Sequence, residues 1–240
     1  MHKFEQGSSE MRKCRLTTNL KDHGHSVHSQ NDEDGIIEAI FKCIEPNSKY
    51  FVEFGIGPSH LHPDYSKGLE GNCVNLRVQG WEGLMMDGGD HPVNFDVKRE
   101  FITPLNINTL LRKYNVPSNC DIISIDVDGQ DFWIFMAISY APILFIVEYN
   151  PSREGPEDSV TVPYNPEFRW DWTNYYGASL AALVKCASNK GYTLVYANGV
   201  NAFFVRSDTI TNAHEFSIER LGVWYQHHPT DPAKRTWITV

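Results

Sequence analysis

Four carboxylates each close an apolar run in this sequence, and the chemistry is to be sought where they lie. Glu53 ends Tyr50-Phe-Val-Glu two places before the turn Gly55-Ile-Gly57, and Asp87 ends Gly83-Leu-Met-Met-Asp. Asp126 ends Asp121-Ile-Ile-Ser-Ile-Asp, and Glu148 ends Ile143-Leu-Phe-Ile-Val-Glu. Short apolar runs of this kind are expected to be buried strands, and an open parallel sheet binds ligands at the carboxyl ends of its strands. Glycine at 55 and 57 lets the backbone turn sharply and approach a ligand closely, which a Cβ would obstruct. A carboxylate beside that turn suits a cationic or hydroxyl-rich ligand better than a pyrophosphate, which wants bare N–H groups. The expectation therefore tilts from a dinucleotide towards S-adenosylmethionine (SAM).

The other three acids take roles from their positions. Asp87, at the tip of the second strand, is placed to accept hydrogen bonds from ribose hydroxyls; the competing reading is a turn-forming Asp before Gly88-Gly89. Four acids converging on one sheet edge repel one another unless positive charge sits among them. The sulfonium and ammonium of SAM would supply part of it. A hard ion such as Mg²⁺ held by Asp126, Glu148 and Asn150 would supply the rest and acidify a substrate hydroxyl. Asp126 is the expected general base or metal ligand.

The loop Pro58 to Gly71 holds His60, His62 and Asp64 where the cofactor should lie, but no further His or Cys is near, so His60 and His62 are expected to touch substrate rather than metal. Residues 151 to 174 carry Pro151, Pro156, Pro163 and Pro166 among Tyr164, Phe168, Trp170 and Trp172. So aromatic a loop suits a lid or substrate wall, with Tyr149, Asn150 and Tyr176 shaping the acceptor pocket.

The elements that must position these groups follow in order. An apolar stripe through Ile36, Ile37 and Ile40 predicts a helix opening at Asp32. Asn72 can cap a helix through Val74 and Val78, and Arg99 to Thr103 reads as a third strand. Helical spacing recurs at Ile107 to Tyr114, Gln130 to Tyr140 and Leu180 to Val184. Asn198-Gly199 predicts a hairpin between strands at Tyr192 to Tyr196 and Ala202 to Arg206. This alternation implies a mostly parallel sheet with right-handed crossovers and one antiparallel strand from the closing hairpin. One domain, 32–208, is expected, preceded by a flexible arm over 1–31 with His23, His25 and His28 in a solvated loop, and followed by an extension over 209–240.

With 240 residues, 41% of them hydrophobic, the chain can bury a core; its net charge of −9 and lack of a Lys/Arg run argue against nucleic acid as a partner. Five dispersed cysteines predict reduced thiols rather than a disulfide framework. No long apolar run or signal-peptide core is present, so a cytoplasmic protein with no membrane partner is expected, acting on a small-molecule acceptor, with a homo-oligomer left open.

Several blocks, in this order and spacing, resemble the FkbM-like SAM-dependent methyltransferases over most of residues 29 to 208. They are Ser29-Gln-Asn-Asp-Glu-Asp-Gly35, Tyr50 to Gly57, Gly80-Trp-Glu-Gly-Leu-Met-Met-Asp-Gly88, Arg99-Glu-Phe-Ile-Thr103, Ile123-Ser-Ile-Asp-Val-Asp-Gly129 with Asp131-Phe-Trp133, and Val147-Glu-Tyr-Asn150. Tyr175-Tyr-Gly-Ala-Ser179, Lys190-Gly-Tyr192 and Gly199 to Arg206 extend the likeness. The resemblance implies a Rossmann-like class I methyltransferase with a seven-stranded sheet, and methyl transfer to a hydroxyl of a sugar or natural-product-like molecule. It implies cofactor contacts at Glu53, Gly55, Gly57 and Asp87, and Gln30, Asn72, Gly88, Thr103 and Asp126 are expected to join them. Related sugar methyltransferases place a divalent metal at acids that correspond to Asp126 and Glu148. Two rivals share much of the pattern. One is a nicotinamide-dependent dehydrogenase, weakened by the missing third glycine; the other is a non-catalytic protein that keeps the fold.

Overall fold

In the strand Tyr50–Phe54 the side chains alternate: Val52 and Phe54 enter one buried cluster and Phe51 the other, so the sheet is covered on both faces. The computed structural model describes residues 13–58, 68–92, 95–153, 158–218 and 228–240. Its main sheet consists of β1 (Tyr50–Phe54), β2 (Glu82–Asp87), β3 (Val97–Arg99), β4 (Ile122–Ile125), β5 (Leu144–Glu148), β6 (Tyr192–Ala197) and β7 (Asn201–Arg206). The strand order is β3-β2-β1-β4-β5-β7-β6. Every pairing from β3 to β5 is parallel, whereas β7 runs antiparallel to both β5 and β6. The molecule is thus α/β with a seven-stranded, mostly parallel mixed sheet, as the alternation of elements predicts.

Helices α1 (Glu33–Cys43) and α2 (Val74–Val78) cover one face through Ile36, Ile37, Ile40 and Leu76. The opposite face carries α3 (Ile107–Lys113), α4 (Asp131–Ala137) and α5 (Leu180–Asn189), with Leu111, Phe135 and Leu183 fully buried. Ser179 starts α5 as a capping residue, its hydroxyl accepting from the Ala182 N–H at 3.1 Å. Asn72 does not cap α2: its side chain donates to Ser124 Oγ at 3.0 Å, and Cys73 occupies the cap position without a side-chain bond.

Three further expectations are corrected. The third strand lies at Val97–Arg99 rather than 99 to 103, because Thr103 to Asn106 close a turn in which Asn106 Oδ1 accepts from the Thr103 N–H. Cys14 and Cys43 form a disulfide, so the five cysteines are not all free thiols. Residues 13–31, expected as part of a flexible arm, are packed: Leu16 and Leu20 are buried beside α1, and Asp34 Oδ2 accepts the N–H groups of Val27, His28 and Ser29 at 2.7 to 3.0 Å. The extension over 209–240, expected to pack on the domain, makes these contacts among the described residues. Ile238–Thr239 pairs antiparallel with Val160–Thr161, and Arg235 bonds Asp171 and Thr173, so the tail holds the aromatic loop from outside. Among the described residues no helix is long and apolar enough to cross a membrane.

Candidate active site

Strand order reverses between β1 and β4, and a crevice outside the carboxyl ends of the strands is expected at that switch point. Gly55 lies there with φ +77°, and a Cβ on it would come within 1.5 Å of the Asp126 carbonyl oxygen. Glycine is therefore required at 55 by packing and by backbone conformation together. Gly57 is different: nothing lies within 4 Å of where its Cβ would be, and it borders open space.

Two adjoining cavities, of about 420 and 500 Å³, share Gly55, Asp87, Asp126, Asp128, Trp170 and Trp172 as walls. The first extends past Gly88 and Thr103 between Phe101 and Phe168. The second extends past Gln30, Glu53, Gly57 and Asn72 to Glu148 and Tyr176. All nine residues expected to contact a cofactor thus line one cavity or both.

Their individual roles are less uniform than their types suggest. Glu53 is buried, and its two oxygens accept the N–H groups of Asn72 and Cys73, so it anchors the start of α2 as well as bordering the cavity. Burial pushes its carboxyl up to about 8, against the lowering effect of those two donors. Asp87 forms the turn expected before Gly88-Gly89. Its Oδ1 accepts from Gly89 N–H at 2.6 Å and pairs with His91 Nε2 at 3.0 Å, and its carboxylate still borders both cavities at the tip of β2.

At the tips of β4 and β5, one carboxylate oxygen from each of Asp126, Asp131 and Glu148 falls within 4.8 Å of the others. Burial raises the carboxyls of Asp126 and Glu148 well above the usual range, and the charge of neighbouring acids raises them further. Asp131, which opens α4, accepts from Val127 N–H at 2.7 Å and Gly129 N–H at 2.9 Å; burial lifts it to about 7. Such a set can share protons or hold a divalent cation through carboxylate oxygens. Asp131 was not among the expected ligands. The signal available was an acid at the first helical position after Gly129, where it closes the loop onto the helix start.

Asn150, expected as a ligand, is spent elsewhere. Its amide nitrogen donates to the carbonyls of Asn174 and Tyr176 at 3.0 and 2.7 Å, and its oxygen accepts from Ser152 N–H at 2.9 Å. It pins the loop that carries Tyr176 rather than entering the acid cluster. Tyr149, expected in the acceptor pocket, belongs to the buried core with Phe145 and Val147, as strand alternation from those residues requires. Tyr176 does line the second cavity, with its ring centroid 4.9 Å from Trp170. Burial first, then the charges of Glu148 and Asp126, raises its phenol. His60 and His62 lie outside the described residues. His228, which the sequence left unassigned, borders the same cavity, and burial holds its imidazole below the usual range.

Comparison with protein-family models, with curated proteins and with solved structures finds no match for this chain.

Proposed function

We propose that the chain is a SAM-dependent methyltransferase acting on a small-molecule nucleophile. The observation that carries this reading is the crevice at the β1–β4 switch point of a β3-β2-β1-β4-β5-β7-β6 sheet, floored by Gly55 and flanked by Asp87. An acid at the tip of the second strand suits ribose hydroxyls, and 420 and 500 Å³ side by side accommodate a nucleoside on one side and a reacting centre on the other. The donor set fits the cofactor: carboxylates meet its ammonium and sulfonium, and no backbone cradle for a pyrophosphate is needed. When bound, SAM supplies an electrophilic methyl group.

The residues of the chain would then do three things. Asp87 holds the ribose; the walls at Phe101 and Phe168 flank the base; Asp126 and Glu148 face the acceptor and can take its proton. A hydroxyl, the acceptor implied by the family resemblance, would lose its proton to Asp126, and Mg²⁺ held by Asp126, Glu148 and Asp131 would assist by acidifying it. Alignment of the two reactants in a water-poor cleft is the main catalytic contribution.

The test is SAM binding by calorimetry, with and without Mg²⁺. Wild type is expected to bind in the micromolar range, and Asp87→Asn to bind on the order of 10- to 100-fold more weakly, as loss of a charged hydrogen-bonding partner implies. Glu53→Ala is a poorer probe, because it would also unseat α2. Absence of binding in a folded wild-type protein would remove the methyltransferase reading and favour the non-catalytic one.

A further inference from the structure

Among the described residues, the charged side chains that border the second cavity are all acids. Glu53, Asp87, Asp126, Asp128 and Glu148 are among them, and no described lysine or arginine is. Glu53 and Asp87 are already engaged by backbone N–H groups. Glu148 Oε2, by contrast, is shielded from solvent with no hydrogen-bond partner among the described residues. Facing these carboxylates is an aromatic wall. Trp170 lies 4.6 Å from Trp172, 4.9 Å from Tyr176 and 5.0 Å from His228 between ring centroids, and all four border the same space.

The two surfaces together discriminate between occupants. A neutral hydroxyl compound could stack on the indoles but would gain nothing from the charge these acids can carry. A hydrated divalent ion could answer the carboxylates but gains nothing from indole faces. An organic ammonium uses both, because its charge pairs with carboxylates while its carbon-bound hydrogens sit against aromatic faces. Resting on the methyltransferase reading, we propose that the methyl acceptor is a primary or secondary amine carried on an apolar or aromatic body, seated between the Trp170 and Tyr176 rings and the Asp126 and Glu148 carboxylates.

The step balances without a further reactant. The ammonium would first give a proton to water. The freed nitrogen lone pair would then form the N–C bond to the methyl carbon as the S–C bond breaks, and that bond's electron pair would stay on sulfur. The products would be an N-methylammonium, again paired with the carboxylates, and a neutral thioether.

The experiment uses the full chain saturated with S-adenosylhomocysteine, in EDTA, titrated with matched pairs: 2-phenylethylamine against 2-phenylethanol, benzylamine against benzyl alcohol, and phenyltrimethylammonium against tert-butylbenzene. Tryptophan fluorescence and calorimetry report binding. The nitrogen member of each pair is expected to bind at least 10-fold more tightly. Glu148→Gln, which keeps the side-chain shape, is expected to cut that preference at least 5-fold with S-adenosylhomocysteine affinity unchanged, and Trp170→Leu to weaken phenyltrimethylammonium similarly. Transfer of tritiated methyl to an amine, and not to its alcohol, would complete the case. If S-adenosylhomocysteine binds but no pair shows a preference, or an alcohol is favoured once Mg²⁺ replaces EDTA, the amine assignment is overturned while the methyltransferase reading stands. If neither SAM nor S-adenosylhomocysteine binds the folded wild type, both fall together.

Discussion

Residue by residue, the cleft separates groups that make it from groups that use it. Gly55 makes it: its positive φ and the Asp126 carbonyl beside it leave no room for a methyl group. Gly55→Ala is expected to destabilise the fold on the order of 3–5 kcal/mol, seen as a lowered urea midpoint. Gly57→Ala, with open space at its Cβ, should leave the midpoint nearly unchanged and affect only ligand binding. A pair of variants with equal stability would refute this division. The distinction could not be read from the sequence, where both glycines occupy one motif; it depends on which backbone passes behind each. The strand-tip acids were legible because an apolar run that stops at a carboxylate marks where a buried strand meets solvent. Tyr149 lies in the core rather than the pocket because alternation along the strand puts it on the face opposite its neighbour Glu148. Asn150 was misplaced because an amide at a strand end serves equally well as a ligand or as a loop anchor, and only the position of the Asn174 and Tyr176 carbonyls decides.

Among the elements, the sheet and its helices were predictable from hydrophobic period and turn residues, since each is a local pattern of adequate length. The exceptions are short. The pairing of Val160–Thr161 with Ile238–Thr239 is two residues long and joins segments far apart in sequence, so no local signal announces it. Its effect on the site is nonetheless direct. Arg235 donates to Asp171 at 2.7 Å and Thr173 at 3.1 Å and lies over the Tyr175 ring at 4.3 Å, holding the loop that carries Trp170, Trp172 and Tyr176. Arg235→Ala should speed amide exchange across 170–176 several-fold and weaken the acceptor side of the cleft, with SAM affinity changed by less than about threefold. Unchanged exchange in that segment would show that the aromatic loop supports itself. The start of the chain is a similar case: its polar residues without period suggest an arm, but two buried leucines, a carboxylate that collects three N–H groups, and bonds from Cys14 and Leu16 to residues 209–212 hold it in place.

Taken whole, the molecule concentrates proton-holding carboxylates under one surface. Glu53 is raised from 4.5 to about 8 and Asp131 from 3.8 to about 7, with burial the leading cause in each case, and Asp126 and Glu148 move the same way. For an acid so shifted the folded chain retains a proton that the unfolded chain has already released. Stability should therefore be highest near or below the unfolded values and fall as pH rises from about 4.5 to 8, by up to about 1.4 kcal/mol per pH unit for each group that titrates in the interval. Urea unfolding at pH 5.5 and pH 8 tests this, and a midpoint that rises with pH would contradict it. A cation bound among these groups should flatten the slope, because it favours the deprotonated forms in the folded state.

The bond between Cys14 and Cys43 gives the molecule a dependence on its surroundings that none of its carboxylates has. Where thiols oxidise, the segment carrying Leu16, Leu20 and the turn at Val27 to Gln30 is covalently tied to the end of α1, and the wall that Gln30 adds to the cleft is tied with it. Where glutathione keeps thiols reduced, that same wall rests on the two leucines, the Asp34 hydrogen bonds and the bonds that Cys14 and Leu16 make to Thr209, Thr211 and Asn212. Reduction thus removes one covalent tie from the side of the cleft that Gln30 lines and leaves that segment to its non-covalent contacts.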